Sequence, residues 1–332
     1  MILICFGTRP EYIKIKPLLK AFDGNIPYKL LFTGQHKDLL SHVKGDIRRL
    51  EIEDGANRLD SIVSSIMNNN DIFQGIDSVL VQGDTTSVFS LALAAFHRKI
   101  KVIHLEAGLR TYDINNPYPE ELNRQMTSRI ANIHLCPTQE AHDNLIREKV
   151  LGQKFVVGNT VLDNLVDKKV SYKDKIIVTM HRRENHYNMD KWFKQIDLLA
   201  KENSNLQFML PIHPNPNVKK HQHLLKYVKV VPPMDYANFI DELANCRFII
   251  TDSGGIQEES SFLRKKCIVC RKTTERVEGM GTFSTLVMEP LDLKNAFDWA
   301  NKCPVPDESE PCPYGDGQSA EKILRILKDY EV

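Results

Sequence analysis

Short apolar segments alternate with longer amphipathic segments along almost the whole chain, and this alternation constrains the fold more than any other feature of the sequence. The apolar segments read as continuous runs rich in Val, Ile, Leu and Phe. Strands of this kind, when helices separate them, are typical of parallel sheets that helices cover on both faces. The sequence therefore predicts an α/β protein with doubly wound parallel sheets.

The alternation falls into two successive sets, one in each half of the chain. In the first half the predicted strands are Ile2–Phe6, Tyr28–Thr33, Ser78–Gln82, Val102–Leu105, Ile133–Cys136 and Phe155–Val157, and the predicted helices are Tyr12–Phe22, Arg58–Met67, Val88–His97, Glu121–Ala131 and Glu140–Glu148. In the second half the predicted strands are Ile176–Thr179, Gln207–Leu210, Lys229–Val231, Phe248–Thr251 and Lys266–Cys270, and the predicted helices are Met189–Lys201, Tyr236–Asn245 and Gly255–Leu263. A length of 332 residues fits two domains of about 150 residues, so each set is predicted to form one Rossmann-like domain.

A polar segment, Asp167–Lys175, has clustered charges and few apolar residues, and we predict that it links the two domains. The first domain is then expected to span residues 1–167 and the second residues 168–316. A final amphipathic helix is predicted within residues 317–332. One face of this helix carries Ile323, Ile326, Leu327 and Tyr330. Because it follows a long loop, we expect it to pack back across the domain junction.

Composition argues against several classes of protein. Lys plus Arg number 44 and Asp plus Glu number 43, and the resulting net charge of +1 disfavours nucleic acid or an anionic membrane as a partner. No apolar run approaches the roughly 18 residues of a transmembrane helix, and no basic region precedes a long apolar stretch at the N-terminus, so neither a membrane span nor a signal peptide is expected. The seven cysteines are few and odd in number, which favours reduced thiols and a cytoplasmic location.

The sequence gives no indication of a metal or cofactor site. Cys267 and Cys270 form a C-x-x-C pattern, but they lie in a predicted core strand that would point their sulfurs to opposite faces. No second cysteine pair is present, and no spacing of His, Cys or Asp resembles a zinc or iron site. We therefore expect no metal, and in the absence of a dinucleotide fingerprint we expect no cofactor.

Each notable polar cluster lies directly after a predicted strand, where ligands bind in open α/β sheets. The first cluster is Gly7–Glu11 (GTRPE), between the first strand and the first helix. Gly7 permits a tight turn, Pro10 suits the first helical turn, and Arg9 with the helix N-terminal amides favours an anion. The alternative is an ordinary turn with a surface arginine.

The second cluster, Thr251–Glu259 (TDSGGIQEE), predicts a phosphate site at a strand-to-helix junction. Gly254 and Gly255 would let the backbone approach a phosphate closely, and Glu259 could accept hydrogen bonds from a ribose diol. A glycine-rich turn with solvated glutamates is the alternative. Arg276 also follows a strand and could pair either with a diphosphate or with the acids beside it.

Carboxylates at strand ends form a third cluster in the first domain. Asp84 and Glu106 each follow a predicted strand, and Glu120 precedes a predicted helix. Acids that converge on one sheet edge suit proton transfer, because burial and mutual repulsion can raise the pKa of a carboxyl group. The alternative is that these acids only form ion pairs with Arg110 and Arg124.

A fourth cluster, His181–Asn185 (HRREN), opens the second domain. A histidine beside Arg182 and Arg183 suits an anionic ligand or leaving group. His213, in a Pro-rich turn after another predicted strand, is either a second ligand residue or an ordinary loop histidine.

Taken together, these motifs resemble the UDP-N-acetylglucosamine 2-epimerase family over nearly the whole chain. The matching motifs are Gly7–Glu11, Gly83–Thr86, Glu106–Thr111, Pro119–Glu121, Gly158–Val161, His181–Glu184, Asp252–Glu259 and Pro313–Gly317. The resemblance implies the GT-B architecture, in which two Rossmann-like domains flank a ligand cleft and a C-terminal helix crosses back to the first domain. It also implies a homodimer.

The resemblance implies a reaction that inverts C2 of a UDP-N-acetylhexosamine by eliminating and re-adding UDP through a 2-acetamidoglucal, with a UDP-sugar as substrate. The family's catalytic residues match Asp84, Glu106, Glu120 and His181. Its substrate-binding residues match Arg9 at the diphosphate, Lys14, Phe239 near the uracil, and the UDP-binding set of Ser253, Gly254, Gly255, Glu259 and Arg276. His213 is a further expected substrate contact.

This sequence departs from the family pattern in places, and alternatives stay open. Met234 stands where many relatives have a polar residue near the uracil, and Leu39 replaces a methionine beside Gln35 and His36, in a segment that relatives use for an allosteric activator. The alternatives are epimerisation of a related UDP-sugar (a 6-deoxy-N-acetylhexosamine or a diacetamido uronate), hydrolysis that releases free ManNAc, and glycosyl transfer. The presence of Glu106, Glu120 and His181 together favours epimerisation.

Overall fold

The structure, a computed structural model, describes residues 1–34, 47–52, 55–303, 306–307 and 309–330. The chain forms two compact α/β units. Unit 1 comprises Met1–Asn164 and Gly315–Val332, and unit 2 comprises Leu165–Tyr314. Gln35, His36 and Leu39 lie outside the described residues. Among the described helices, none combines the length and the apolar character that a bilayer-spanning helix requires.

Unit 1 contains a parallel sheet of seven described strands. They are β1 (Ile2–Phe6), β2 (Tyr28–Phe32), β3 (Ile47–Arg49), β4 (Ser78–Gln82), β5 (Lys101–Leu105), β6 (Ile133–Cys136) and β7 (Gln153–Val156). Their order in the sheet is β3-β2-β1-β4-β5-β6-β7. The chain therefore reverses its direction of travel across the sheet between β1 and β4, which is the switch point where ligands bind in open α/β sheets.

Helices cover both faces of this sheet. They are α1 (Arg9–Phe22), α2 (Arg58–Met67), α3 (Thr86–His97), α4 (Glu120–Ile130), α5 (Gln139–Arg147) and α11 (Ser319–Asp329), with 3₁₀ turns at Asp71–Phe73 and Thr160–Asn164. The apolar face of α11 packs on α1 in the core cluster of unit 1. The predicted return of the last helix to the first domain is therefore confirmed.

Unit 2 contains a second parallel sheet. Its strands are β8 (Lys175–Thr179), β9 (Gln207–Pro211), β10 (Lys229–Val231), β11 (Phe248–Thr251), β12 (Lys266–Cys270) and β13 (Ser284–Val287), in the order β10-β9-β8-β11-β12-β13. Its helices are α6 (Met189–Glu202), α7 (Pro216–Lys219), α8 (Tyr236–Ala244), α9 (Gly254–Phe262) and α10 (Leu293–Lys302), with 3₁₀ turns at Arg183–Asn185, Gln222–Leu224 and Pro290–Asp292. Cys267 and Cys270 both lie buried in β12, as predicted.

The predicted linker Asp167–Lys175 is bound to the body of unit 2 along part of its length. The backbone N–H of Ser171 donates to the Ala244 carbonyl at 3.0 Å. The ammonium of the buried Lys265 donates to the carbonyls of Ser171 and Cys246 at 2.5 and 2.8 Å. Burial lowers the pKa of Lys265 to about 8. Residues around Ser171 are thus part of the folded body of unit 2.

Candidate active site

The loop between β1 and α1 is organised by Glu11. Thr8 caps α1, and the buried Glu11 carboxylate accepts hydrogen bonds from the backbone N–H groups of Gly7 and Thr8, both at 2.7 Å. Its other oxygen accepts from the Thr85 hydroxyl at 2.8 Å. Burial raises the pKa of Glu11, and these hydrogen bonds oppose that rise. Glu11 therefore ties the loop after β1 to the loop after β4, and Arg9 lies exposed at the first position of α1.

Glu106, directly after β5, is held by two side chains from other elements. The Lys14 ammonium lies 2.6 Å from both of its carboxylate oxygens, and the Gln82 amide donates a hydrogen bond to Oε2. The Glu106 backbone has a φ of +63°, a left-handed conformation that residues other than glycine seldom adopt. In the sequence, Gln82 is notable only as a polar residue at the end of an apolar strand. The structure shows that its partner is Glu106.

Asp84 follows β4 and forms an ion pair with Arg124 from α4. Arg124 also pairs with Glu121 at 2.9 Å. The fully buried Glu121 carboxylate accepts hydrogen bonds from the backbone N–H groups of the loop before α4, including that of Tyr112 at 3.1 Å. Glu121 therefore shapes this loop, whereas its neighbour Glu120 is partly exposed in the first turn of α4.

Arg110 has a different partner from the one that its position suggested. Its guanidinium pairs with Glu148, with Nε at 2.7 Å from Oε1 and Nη2 at 3.0 Å from Oε2, and Nη2 also donates to the Ser128 hydroxyl at 3.0 Å. Of the two arginines considered as partners for the strand-end acids, Arg124 takes that role for Asp84.

Of these groups, Lys14, Gln82 and Glu106 border a narrow recess at the carboxyl edge of the unit 1 sheet. It is lined by Lys14, Gln82, Leu105, Glu106, Pro137, Gly158, Asn159 and Thr160. The Gly158–Val161 motif thus lies beside the Glu106 carboxylate. Glu106 is partly exposed, and an accessible carboxylate with an adjacent ammonium can accept a proton from a bound molecule and return it.

In unit 2 the start of α9 presents backbone N–H groups beside an arginine. A side chain at Gly254 would place its Cβ atom 2.5 Å from Nη1 of Arg276, whereas a Cβ atom at Gly255 would meet no atom within 4 Å. Gly254 is therefore required for the close approach of Arg276. Together with the helix N-terminus, which starts after Ser253, this arrangement favours an anion.

Arg276 is held in place by acids on both sides. Its Nε donates to Glu258 at 2.7 Å, and its Nη1 pairs with Glu275. The buried Arg271 joins Glu275 to Glu184 through distances of 3.0 and 2.9 Å. Of the two alternatives for Arg276, the structure shows the ion pairs with neighbouring acids, and these pairs fix the direction of its guanidinium.

Glu259 and Phe239 lie around α8 and α9. The buried Glu259 carboxylate accepts a hydrogen bond from the Tyr236 hydroxyl at 2.8 Å. Burial and the nearby carboxylate raise the pKa of Tyr236, so the phenol keeps its proton. Phe239 is partly exposed one turn further along α8, and Met234 is partly exposed just before it.

His181, two residues after β8, is oriented by Asp252. The buried Asp252 carboxylate accepts hydrogen bonds from the backbone N–H groups of His181 and Arg182 at about 3 Å, and one of its oxygens lies 3.4 Å from Nδ1 of His181. The His181 ring stacks on that of His213, with centroids 5.4 Å apart. Burial lowers the pKa of both histidines, and Asp252 opposes that effect. The structure therefore brings together His181 and His213, which the sequence analysis considered separately.

Within the described part of the chain, no three His, Cys, Asp or Glu side chains lie close enough together to hold a metal ion. The polar groups that do converge are carboxylates with Lys or Arg partners in unit 1, and a helix N-terminus with an arginine and two histidines in unit 2. Groups of these kinds suit proton transfer and anion binding, respectively.

Comparison with known proteins identifies close relatives. The sequence model of a family described as UDP-N-acetylglucosamine 2-epimerase matches residues 20–328. A UDP-N-acetylglucosamine 2-epimerase from Salmonella borreze is 37% identical, and the match covers 99% of this chain and 98% of that protein. A crystal structure of the UDP-GlcNAc 2-epimerase from Neisseria meningitidis bound to UDP-GlcNAc has a TM-score of 0.89 and 33% identity, and the match covers 99% of each chain.

A more distant likeness bears on the fold alone. The crystal structure of MurG from Acinetobacter baumannii matches with a TM-score of 0.56 at 13% identity and covers 99% of each chain. MurG has the GT-B architecture, and the two parallel-sheet α/β units observed here agree with that class. The predicted fold class is therefore confirmed.

Proposed function

The chain belongs to the UDP-N-acetylglucosamine 2-epimerase family, and on that premise we propose that it interconverts UDP-GlcNAc and UDP-ManNAc without releasing the free sugar. The observation that carries the proposal is the Glu106 carboxylate, which has the Lys14 ammonium 2.6 Å from both oxygens and is partly exposed at the carboxyl edge of the unit 1 sheet. The relative from Neisseria meningitidis, bound to UDP-GlcNAc, supports this choice of substrate.

The proposed reaction eliminates UDP and then adds it back. A base removes the proton from C2 while the bond from C1 to the diphosphate oxygen breaks, which yields 2-acetamidoglucal and UDP. The diphosphate then attacks C1 while a proton reaches the opposite face of C2. Every bond and proton lost in the first half is regained in the second, so the net change is inversion at C2 and the balance requires no external oxidant or reductant.

We assign the proton transfers to acids of unit 1. Glu106, Asp84 and Glu120 are the candidate proton carriers, and the cations beside the first two support this role because they stabilise a carboxylate between transfers. Lys14 is then both a neighbour of Glu106 and a proposed substrate contact.

We assign binding of the UDP moiety to unit 2. The amides at the start of α9, from Ser253 through Gly254 and Gly255, and the guanidinium of Arg276 are proposed to hold the diphosphate, because a helix N-terminus and an arginine both favour anions. Glu259 is proposed to accept hydrogen bonds from the ribose diol and Phe239 to lie near the uracil. His181 is the proposed partner of the leaving diphosphate, with His213 beside it. Arg9 in unit 1 is a proposed diphosphate contact.

Nuclear magnetic resonance of the purified protein with UDP-GlcNAc in D2O tests the reaction. We expect UDP-ManNAc that carries deuterium at C2, because the proton returned to C2 comes from a carboxyl group that exchanges with solvent. Release of free ManNAc with UDP would instead identify a hydrolysing enzyme. A C2 that keeps its original hydrogen would rule out the elimination route.

Substitution of the acids tests the assignments. Asp84→Asn and Glu106→Gln retain the shape of each side chain but remove the titratable proton, so turnover is expected to fall about 10²–10⁴-fold while affinity for UDP is retained. Asp113→Asn, at an exposed acid in the loop before α4, is the matched control and is expected to turn over normally. Normal turnover of both active-site variants would remove these acids from the mechanism.

We also propose that the protein forms a homodimer, which the family resemblance supports, and that it works in the cytoplasm, which its few cysteines, odd in number, support. Light scattering coupled to size-exclusion chromatography tests the first of these. A mass of twice 38.1 kDa is expected, and a mass that corresponds to one chain would contradict it.

A further inference from the structure

Gln82 touches the carboxylate on which the proposed reaction depends, although none of the motifs that carry chemistry includes it. We propose that Gln82 is a positioning residue for Glu106, which fixes the direction of the carboxylate. This inference rests on the proposed function, in which Glu106 exchanges a proton with C2 of the sugar.

Sheet register brings the two residues together. Gln82 is the last residue of β4, and its partner in the parallel pairing is Leu105, the last residue of β5. Glu106 is the next residue along the chain, so its carboxylate comes within reach of the Gln82 amide, which donates to Oε2. Gln82 is buried, with 3% of its surface exposed. Its side chain therefore has little freedom to turn away.

The backbone of Glu106 is held in a conformation that needs support. Its φ of +63° is left-handed. Non-glycine residues with such a φ cluster at functional sites, where contacts with the surrounding structure hold the backbone in place. The surroundings do so here, because the N–H of Gly83 donates to the Leu105 carbonyl at 3.0 Å and the N–H of Ala107 donates to the Leu135 carbonyl at 3.1 Å. The side chain of Glu106 is thereby turned towards Gln82 and Lys14.

The two partners of Glu106 differ in kind. Lys14 carries a charge, comes from a helix, and is a proposed contact of the substrate. Gln82 is neutral and lies at the end of β4, a central strand of the unit 1 sheet, where its side chain is buried. An amide N–H stabilises an ionised carboxylate more than a protonated one. Gln82 is therefore suited to hold the Glu106 carboxylate in the same position in each cycle.

Three variants test this role. Gln82→Met has nearly the same length and no N–H donor, and Gln82→Glu retains the shape but places a second carboxyl group against Glu106. Ser78→Ala, at the buried first residue of the same strand, is the matched control. Thermal unfolding shows which variants fold. If Gln82→Met does not fold, Gln82→Glu is used for the test instead.

We expect kcat of Gln82→Met to fall about tenfold or more, a part of the contribution of a general acid or base, with KM changed less than about twofold. We also expect the acid limb of its pH profile for kcat/KM to move to higher pH, because removal of a hydrogen-bond donor favours a protonated carboxyl group. Gln82→Glu is expected to move that limb further, and Ser78→Ala not at all. A wild-type pH profile in a folded Gln82→Met protein would overturn the proposal.

A measurement without substrate separates this proposal from the proposed function. Carbon NMR of selectively labelled glutamate, with the Glu106 signal assigned by its loss in Glu106→Gln, follows the titration of that carboxyl group directly. If the wild-type protein does not epimerise but the Glu106 signal titrates at higher pH in Gln82→Met, the role of Gln82 stands and the proposed function fails. If the titration is unchanged by the substitution, the role of Gln82 fails whatever the protein catalyses.

Discussion

Two buried histidines, His104 and His134, face each other across neighbouring strands of the unit 1 sheet. They are register partners in β5 and β6, and both are fully buried. Nε2 of each lies 2.8 Å from a backbone carbonyl oxygen, that of Gly83 for His104 and that of Leu151 for His134. Because a carbonyl oxygen only accepts, each Nε2 carries a proton. Burial lowers the pKa of His104 to about 4 and that of His134 to about 3, so both rings are neutral in the folded protein.

These histidines predict a loss of stability in mild acid. Below about pH 6.5 both rings bind a proton in the unfolded chain but not in the folded chain. The free energy of unfolding therefore falls as the pH decreases from about 6.5 towards about 4, and above about pH 6.5 the two histidines do not reduce it. For His104 the loss is on the order of 3 kcal/mol, at about 1.4 kcal/mol per pKa unit. Denaturant unfolding between about pH 7 and about pH 4 measures it. His104→Gln removes one of the two titrations and is expected to reduce the slope, whereas His97→Gln, at an exposed histidine, is expected to keep it. Equal slopes in both variants would contradict the assignment.

At this scale the sequence indicated the positions of side chains better than their partners. Asp84 and Glu106 were predicted at one sheet edge because each follows a strand, and they lie there. The partner of Glu106 comes from α1, 92 residues away in sequence, and such a pairing depends on strand order, which a local pattern does not encode. The adjacent Glu120 and Glu121 could not be told apart by residue type, and only the structure shows that Glu121 is the buried one.

At the scale of the element, two adjacent glycines at the start of α9 are expected to respond differently to substitution by alanine. Gly254→Ala places a Cβ atom 2.5 Å from Nη1 of Arg276, which ion pairs with Glu258 and Glu275 hold in place, whereas Gly255→Ala places it in open space. We expect Gly254→Ala to lower the melting temperature and to weaken UDP binding. Gly255→Ala is expected to leave the melting temperature equal or higher, because alanine is favoured over glycine in helices by up to about 1 kcal/mol. Differential scanning calorimetry of the two proteins compares them, and equal melting temperatures would show that Arg276 is not constrained as described.

Several strands were predicted with the bounds that the structure shows, whereas other elements were missed. The predicted bounds of β1, β4, β6, β10, β11 and β12 match the structure. Helices α1 and α3 begin earlier than predicted, directly after their N-cap residues Thr8 and Thr85. The prediction started each helix at its first periodic apolar residue, and an N-cap residue is not part of that pattern. The sequence analysis did not include β3, β13, α7 and α10. β3 and β13 are edge strands. β3, Ile47–Arg49, has two arginines among its three residues and so lacks the apolar run that identified the equally short edge strand β10.

At the scale of the whole molecule, the two units repeat one topology without a detectable repeat in sequence. Unit 2 has the strand order β10-β9-β8-β11-β12-β13, and the first six strands of unit 1 follow the same scheme. The candidate site residues occupy equivalent places in each. The Gly7–Glu11 loop and Asp84 follow β1 and β4, while His181 and Asp252 follow β8 and β11. Both units thus use the switch point beside their first strand, and the apolar alternation predicted the fold class but not this order of strands.

The last helix, α11, belongs to unit 1 although it follows unit 2 in the sequence. Asp163 accepts hydrogen bonds from the first backbone N–H groups of α11, including that of Ala320 at 2.7 Å, and the buried Ile323 and Leu327 pack into the core of unit 1. Leu327→Ala is therefore expected to cost about 2–5 kcal/mol of stability, whereas Arg325→Ala, at an exposed position of the same helix, is expected to change it by less than about 0.5 kcal/mol.

Hydrogen exchange locates the effect of Leu327→Ala. Amides of α1 and of the unit 1 sheet are expected to exchange faster, because α11 packs on α1, while amides of β8 and β11 keep their protection. Faster exchange in both units alike would mean that they unfold as one cooperative body, and the last helix could not then be assigned to unit 1 alone. Exchange confined to unit 1 would mean that each sheet forms its own cooperative unit. The first sheet would then depend on a helix that begins 163 residues after its last strand, from Val156 to Ser319. Substitutions at this end of the chain would then weaken the sheet that carries Glu106 and Gln82 without any contact with either residue.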